Sequence, residues 1–252
     1  MKRQSPEIRV ECPFIMPKTG RINPSPRSAR LIFITGTDTG VGKTLLTGLL
    51  LRHLRSTGRC ALAIKPFCSG GPGDVDLLRA LQDGELSVRE INPFYFREPV
   101  APLVAARRHR RRIGLAEVLR NVLPVARRCD WLLIEGAGGL LAPLGRRLTA
   151  LDLIARLRCK VIVAAPNELG TINHTLLTVR ALRAAAVSRL KVVLMGRRHP
   201  DPSAESNPRV LAEWLAPTPL FLAPFLGMRC CTIRGVEQSA RKTGALLERL
   251  LR

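Results

Sequence analysis

The chain has 252 residues, 46% of them hydrophobic, and carries 41 Lys and Arg against 19 Asp and Glu, a net charge of +22. That length suits one large α/β domain and is short for two. No apolar run approaches the roughly 18 residues of a membrane span, and the N-terminus lacks the apolar stretch of a secretory signal, so a cytoplasmic protein with no membrane partner is expected.

Residues 1–29 hold Pro6, Pro13, Pro17, Pro24 and Pro26 among Lys, Arg and Ser, without sustained periodicity. They read as a disordered extension or as a start assigned too early, with the folded domain running over 30–252. The apolar run at 31–35 predicts a strand. A helix is expected over 43–56, a strand over 60–65 and a helix from Val75 to Gln82. A Pro-rich segment follows, INPFYFREPVAPL. The basic run Arg107, Arg108, His109, Arg110, Arg111 and Arg112 has no interleaved aromatics, and aromatics make up only 4% of the chain. It reads as a solvated face, which makes a nucleic-acid partner the weaker reading of the charge.

A helix over 115–128 is expected to bend or break at Pro124. A strand over 131–135 follows, then a helix over 149–157, a strand over 161–165, a helix over 171–186 and a strand over 191–195. The last expected elements are a helix over 208–215, a short extended segment over 220–223 and a helix over 236–251. Continuous apolar strands alternating with helices predict an α/β fold: a mostly parallel sheet with helices on both faces. Right-handed crossovers then bring every strand's C-terminal end to one edge, where ligands bind. Seven cysteines are scattered without C-x-x-C spacing, which argues for reduced thiols and against a disulfide framework or zinc site.

Four strand ends carry candidate chemistry. The first opens LIFITGTDTGVGKT (31–44), the strand, glycine loop, Gly-Lys-Thr and helix of a phosphate-binding P-loop. Gly40 and Gly42 admit close backbone approach, and the helix N-terminus adds positive potential. Lys43 can reach the terminal phosphates and the Thr44 hydroxyl can ligand Mg²⁺. The common motif wants glycine where Thr37 stands, and Gly36 sits one residue early.

The second end is KPFCSG (65–70). Pro66 stops the strand, so Lys65 sits on the edge and can neutralise charge formed beside a γ-phosphate. Ser69 offers a hydroxyl in the same loop. Asp74 follows a Gly-Pro-Gly turn, either as a helix N-cap or as a metal ligand, with Asp76 the alternative. The third end gives Glu135 ahead of Gly136, Ala137, Gly138 and Gly139, a place for a metal-ligand acid. The fourth gives LGTIN (169–173). There Gly170, Thr171, Ile172 and Asn173 open a helix whose free amides suit a carboxylate or serve as an ordinary N-terminus. His174 reads as structural.

Taken together, GTDTGVGKT (36–44), KPFCSG (65–70), Asp74, NPFYFREPVAP (92–102), EGAGG (135–139) and LGTINHTLLT (169–178) resemble the dethiobiotin synthetase family, in family order over residues 30–226. The resemblance implies a single-domain P-loop NTPase fold and an ATP-dependent ligase. Its small-molecule substrates would be 7,8-diaminopelargonic acid, CO₂ and ATP. The diamine is carboxylated to a carbamate, which ATP phosphorylates. The second amine then closes a ureido ring, leaving dethiobiotin, ADP and phosphate. It implies Thr39, Gly40, Val41, Gly42, Lys43, Thr44 and Leu45 around the nucleotide, with Asp74, Glu135, Gly136, Ala137 and Gly138. Thr44, Asp74 and Glu135 would hold Mg²⁺, and Lys65 with Lys43 would be catalytic. Thr39 and Ser69 would hold the diamine and carbamate, while Gly170 through Asn173 would take the distal carboxylate from the neighbouring subunit of a homodimer. The family often has Asn where Gly196 stands, so nucleotide preference stays open, and its His after the Pro-rich loop is Leu103 here. Rival readings are a partitioning-type ATPase, a cobyrinate amidase relative, or a nucleotide-dependent nucleic-acid binder. The partitioning type tends to carry Lys at the position of Thr37.

Overall fold

A computed structural model describes residues 29–252. The expected N-terminal extension falls outside the described residues except for Ala29. Six strands form one parallel sheet: β1 (Arg30–Gly36), β2 (Ala61–Ile64), β5 (Trp131–Glu135), β6 (Lys160–Pro166), β7 (Leu190–Met195) and β8 (Leu220–Ala223), in the order β2-β5-β1-β6-β7-β8. The central strands are continuous apolar runs through their middles because both their faces are covered. Ile32, Phe33, Ile34, Leu132, Leu133, Ile134 and Val161 to Ala165 are each no more than 1% exposed. Each large apolar side chain among them contributes about 1.5–3 kcal/mol by leaving water.

On one face α1 (Lys43–Ser56) packs with α2 (Gly73–Leu81), α9 (Ile233–Lys242) and α10 (Gly244–Leu251). Crossovers running the other way along the sheet carry α5 (Leu115–Ala126), α6 (Ala150–Leu157), α7 (Thr171–Ala184) and α8 (Ser203–Leu215) over the opposite face. The α/β reading holds, including the order in which strands and helices alternate.

Several local expectations are corrected. The Pro-rich stretch is structured: α3 (Val88–Ile91), β4 (Phe94–Phe96) and α4 (Pro102–Arg108) lie within or beside it. β4 pairs in parallel with β3 (Phe67–Ser69) as a two-stranded ribbon beyond β2. Pro102 is the first residue of α4, where proline's missing N–H costs nothing. Pro124 does not break α5 at mid-length; it sits in the last turn of a helix that ends at Ala126, short of the expected 128.

α8 starts at Ser203, not 208, and carries Pro208 inside it. The carbonyl of Ala204, one turn earlier, loses its helical donor to that proline and accepts instead from Asn167 Nδ2 at 2.9 Å. The expected helix over 236–251 is two helices, broken at Thr243. Asp74 is not an N-cap. α2 begins at Gly73 after Pro72 with no side-chain cap, which leaves the Asp74 carboxylate for another partner. The basic run is exposed, ending α4 and forming the turn after it. The cysteines described are all free, and Cys230 and Cys231 lie with sulfurs 3.8 Å apart.

Candidate active site

The loop 36–43 folds tightly between β1 and α1, and steric contact explains its glycines. A Cβ on Gly36 would stand 2.6 Å from Val41 Cγ2 and 3.2 Å from Lys43 Cδ. The glycine that looks one residue early is therefore the one over which Val41 and Lys43 close. Gly42 adopts φ +96° and would meet Met195 Cε at 3.1 Å, so conformation and space both require glycine there. Gly42 caps α1 without a side-chain acceptor, so the first-turn amides remain available to an anion. Gly138 and Gly139 bring the turn after β5 against the same loop. A Cβ on Gly139 would lie 3.1 Å from the Thr37 carbonyl oxygen. Thr39 is exposed beside Gly138.

Three strand ends meet at one carboxylate. Glu135 Oε1 accepts from Thr44 Oγ1 at 2.6 Å and from Lys65 Nζ at 2.7 Å. Lys65 Nζ also donates to Asp74 Oδ2. Lys43, Lys65 and Glu135 are all under 10% exposed. Asp76 is exposed and has no partner in this cluster; Asp74 is the acid of α2 that the fold delivers. The Lys43 ammonium turns back onto the Asp38 carbonyl at 2.6 Å, a partner that sequence reading did not identify.

The electrostatics follow from burial. Lys43 is pulled down to about 8, chiefly by burial and further by the like charge of Lys65, against the attraction of Glu135. Burial pushes Glu135 up, and the Lys65 ammonium offsets this only in part. Lys65 goes the other way: burial opposes its charge, but Glu135 and Asp74 outweigh burial and hold it above the ordinary lysine value. Lys65 keeps its charge in this pair because Asp74, 45% exposed, supplies a second and better-solvated carboxylate. Cys68, buried beside the cluster, has its thiol raised first by burial, which makes it a poor nucleophile.

Among the described residues, Glu135 Oε2 and Ser69 Oγ are buried without a hydrogen-bond partner. The first is an acceptor that suits a cation; the second is a free hydroxyl in the loop after Lys65. Among the described residues no three His, Cys, Asp or Glu side chains converge. A divalent ion here would have two carboxylates and the Thr44 hydroxyl, with phosphate oxygens and water completing its shell, the donor set Mg²⁺ accepts.

Gly170 caps α7 with φ +91° and no side-chain acceptor, leaving the amides of Thr171, Ile172 and Asn173 at an open helix start. The structure does not bond this loop to the Lys65 cluster. Arg197 Nη2 lies 2.7 Å from Glu168 Oε2, Asp201 accepts from the Leu169 amide at 2.8 Å, and Asn207 donates to the Glu168 carbonyl at 3.2 Å. His174 is exposed and makes no side-chain hydrogen bond among the described residues. A Cβ at Gly196 would lie 2.7 Å from the Phe225 amide nitrogen, so this backbone admits no side chain there.

Sequence reading also missed two buried amides, Gln82 and Asn92, at the free edge of β2. Buried amides resemble core spacers in sequence; the one signal for Asn92 was its place ahead of a proline just after a short helix.

Comparison with known proteins places the chain in a family. The model of a family described as an AAA domain matches residues 30–229. The ATP-dependent dethiobiotin synthetase BioD of Anaeromyxobacter sp. strain Fw109-5 is 42% identical over 196 residues, covering 76% of this chain and 88% of that protein. The enzyme of the same description from Bacillus velezensis is 34% identical over 197 residues, covering 76% and 84%. Among solved structures, the MinD cell division protein of Aquifex aeolicus superposes with TM-score 0.55 at 17% identity, covering 86% of this chain and 97% of that one. A ParA family ATPase from Chlorobium tepidum gives TM-score 0.55 at 12% identity, covering 88% and 99%. These two likenesses speak to fold alone.

Proposed function

The chain belongs to the ATP-dependent dethiobiotin synthetase family, and from that premise we propose how its residues divide the work of closing a ureido ring. The reaction joins a vicinal diamine, 7,8-diaminopelargonate, to CO₂ at the expense of ATP, in biotin biosynthesis. One amine adds to CO₂ and loses a proton, giving a carbamate. A carbamate oxygen takes the γ-phosphoryl group and ADP leaves. The second amine attacks the activated carbon, phosphate departs, and the ring closes with loss of a proton.

The loop from Thr39 to Leu45 and the turn Gly136 to Gly138 cradle the triphosphate, with Lys43 leaving Asp38 to meet the terminal phosphates. Lys65 holds the carbamate oxygen against the γ-phosphate and balances the charge there. Thr39 and the unpartnered Ser69 hydroxyl hold the diamine and carbamate. Thr44, Asp74 and Glu135 would hold Mg²⁺, whose contribution would be to offset the negative charge of the phosphates. The Gly170 to Asn173 amides take the distal carboxylate of a substrate bound to the partner subunit in a homodimer. That assignment fits a loop which is open at its helix start and not bonded to its own Lys65 cluster. Free thiols and the absence of any membrane-spanning helix among the described residues suit a cytoplasmic enzyme. The domain runs over 30–252.

The observation that carries this reading is the shared oxygen of Glu135. It ties the P-loop threonine to a lysine from another strand through two hydrogen bonds to one oxygen, which supports placing the phosphate and the carbamate side by side. The test is an ADP-release assay on purified protein with ATP, Mg²⁺, diamine and bicarbonate. ADP release should require both diamine and bicarbonate. Release that is unchanged when the diamine is omitted overturns the reading.

A further inference from the structure

Lys65 lies one residue beyond the last register pair between β2 and β5, Ile64 with Ile134. Its backbone is therefore outside the sheet ladder that fixes the rest of its strand. β2 is also the edge of the six-stranded sheet, so its outward N–H and C=O groups have no neighbouring strand of that sheet. Two buried side-chain amides and one carbonyl stand in for that neighbour. Gln82, fully buried, accepts from the Ala63 amide and donates to the Ala63 carbonyl, both at 3.1 Å. Two residues on, the Lys65 amide donates to the Ile91 carbonyl at 2.9 Å. Asn92 Nδ2 donates to the Lys65 carbonyl at 2.6 Å and to the Pro66 carbonyl at 3.2 Å.

Pro66 has no N–H with which to anchor the chain after Lys65. Its carbonyl is gripped by Asn92 and by the Phe94 amide, 3.1 Å away. Asn92 is 4% exposed, and among the described residues its Oδ1 is buried without a partner. What the amide does there is done by its donor.

The geometry points to Asn92 as a positioning residue for Lys65: it fixes the peptide on both sides of the Lys65–Pro66 junction so that the ammonium reaches Glu135 and Asp74 together. This rests on the assignment of Lys65 to the reaction. Gln82 is the matched control, since it makes the same kind of bond on the same edge one pleat away, at a residue whose side chain takes no part. A catalytic group displaced by about 1 Å loses on the order of 10²-fold in rate.

The test compares Asn92→Leu with Gln82→Leu in the full chain. Each should lower Tm. Only Asn92→Leu should lower kcat, by about 10- to 100-fold, with ATP affinity within about twofold of the unaltered protein. Asn92→Ala, which leaves room for a water to replace the donor, should recover part of kcat and covers the case in which the leucine variant does not fold. Lysine ammonium resonances from ¹⁵N-lysine protein give a readout independent of turnover, because the chain has only seven lysines. The Lys65 signal should shift or broaden in the Asn92 variants and stay in place in Gln82→Leu. An unshifted Lys65 signal, or equal kcat loss in the Asn92 and Gln82 variants, overturns the proposal. A shifted signal with kcat intact upholds the clamp and instead removes Lys65 from the reaction.

Discussion

The two halves of the sheet edge handle charge in opposite ways. On the side of β2, β5 and β1, the groups that would meet the transferred phosphoryl are desolvated: Lys43 and Lys65 are 6% exposed and Glu135 1%. On the side of β6 and β7, the ion pair between Arg197 and Glu168 is about 40% exposed at each partner. What is buried on that side is neutral, such as Asn207 at 2% and Thr171 at 1%. A buried charge interacts strongly because water screens it little, whereas an exposed pair is worth about 0–1 kcal/mol. In the reaction proposed above, the charge steered through the transition state would sit in the dry half, and the charge recognised at the far end of the substrate would meet amides and solvated side chains.

The sharpest way to break that contrast is Lys65→Ala. Turnover should fall by about 10²- to 10³-fold, as for loss of a preorganised charge-stabilising donor, while ATP still binds. Retained turnover removes Lys65 from the reaction. The same variant leaves Glu135 without its buried cation. Its carboxyl, already raised by burial, then binds a proton more tightly when folded than when unfolded. Stability referred to the unaltered protein should therefore be preserved best at acid pH and lost as pH rises above the ordinary glutamate range. Thermal melts across pH 4.5–8.5, a window set by the ordinary glutamate pKa of about 4.3, check the sign.

Gly36→Ala probes the packing on which the dry half depends. A methyl placed 2.6 Å from Val41 Cγ2 forces the loop to shift, and overpacking of this kind costs about 1–3 kcal/mol. ATP affinity should drop with stability. Gly40→Ala is the companion: nothing lies within 4 Å of its Cβ, but its φ of +72° strains any other residue, at about 1–2 kcal/mol. Denaturant melts with and without ATP separate the two, since only Gly36→Ala should also perturb Lys43.

The pH dependence of nucleotide binding comes next. With Lys43 at about 8 in the free protein, a polyphosphate that pairs with it raises that value, so binding takes up a proton above pH 8. ATP affinity should be flat below pH 8 and weaken by up to about tenfold per unit above it. Titration calorimetry between pH 7 and 9.5, in buffers of different ionisation heat, measures both the slope and the proton count. In Lys43→Met the slope should vanish.

These contrasts were unequally visible in the sequence. The sheet was legible because strands buried on both faces must be continuous apolar runs, and the four strand ends with their glycines were legible for the same reason. The β3–β4 ribbon was not: FCS and FYF are three residues each and are flanked by prolines that mimic loop composition. α8 was shortened by Pro208, whose lost hydrogen bond is repaired by Asn167, a residue 41 positions earlier in the chain. Residue types identified Lys65, Glu135 and Asp74. Which acid of α2 faces the lysine depended on helix phase, settled once Gly73 rather than Asp74 began the helix. Asn92 was visible only as the first letter of a motif, and the part played by Asn92 and Gln82 was not, because a buried amide that completes a sheet edge has no periodic signature.

The smallest expected effect tests the wet half. Arg197 reaches Glu168 through both Nε and Nη2, at 2.8 and 2.7 Å, but in solvent. Arg197→Ala should cost no more than about 1 kcal/mol in stability. In the homodimer proposed above, it should raise KM for the diamine by about twofold, with kcat unchanged. At 0.5 M salt the Debye length falls to about 4 Å, and the difference between variant and unaltered protein should disappear. The same salt should barely move the Lys65 variants, whose charges are shielded by protein and not by ions. A fall in kcat for Arg197→Ala that persisted at high salt would mean that the exposed pair is coupled to the reacting centre. The boundary between the two halves would then lie beyond β7 and not between β1 and β6.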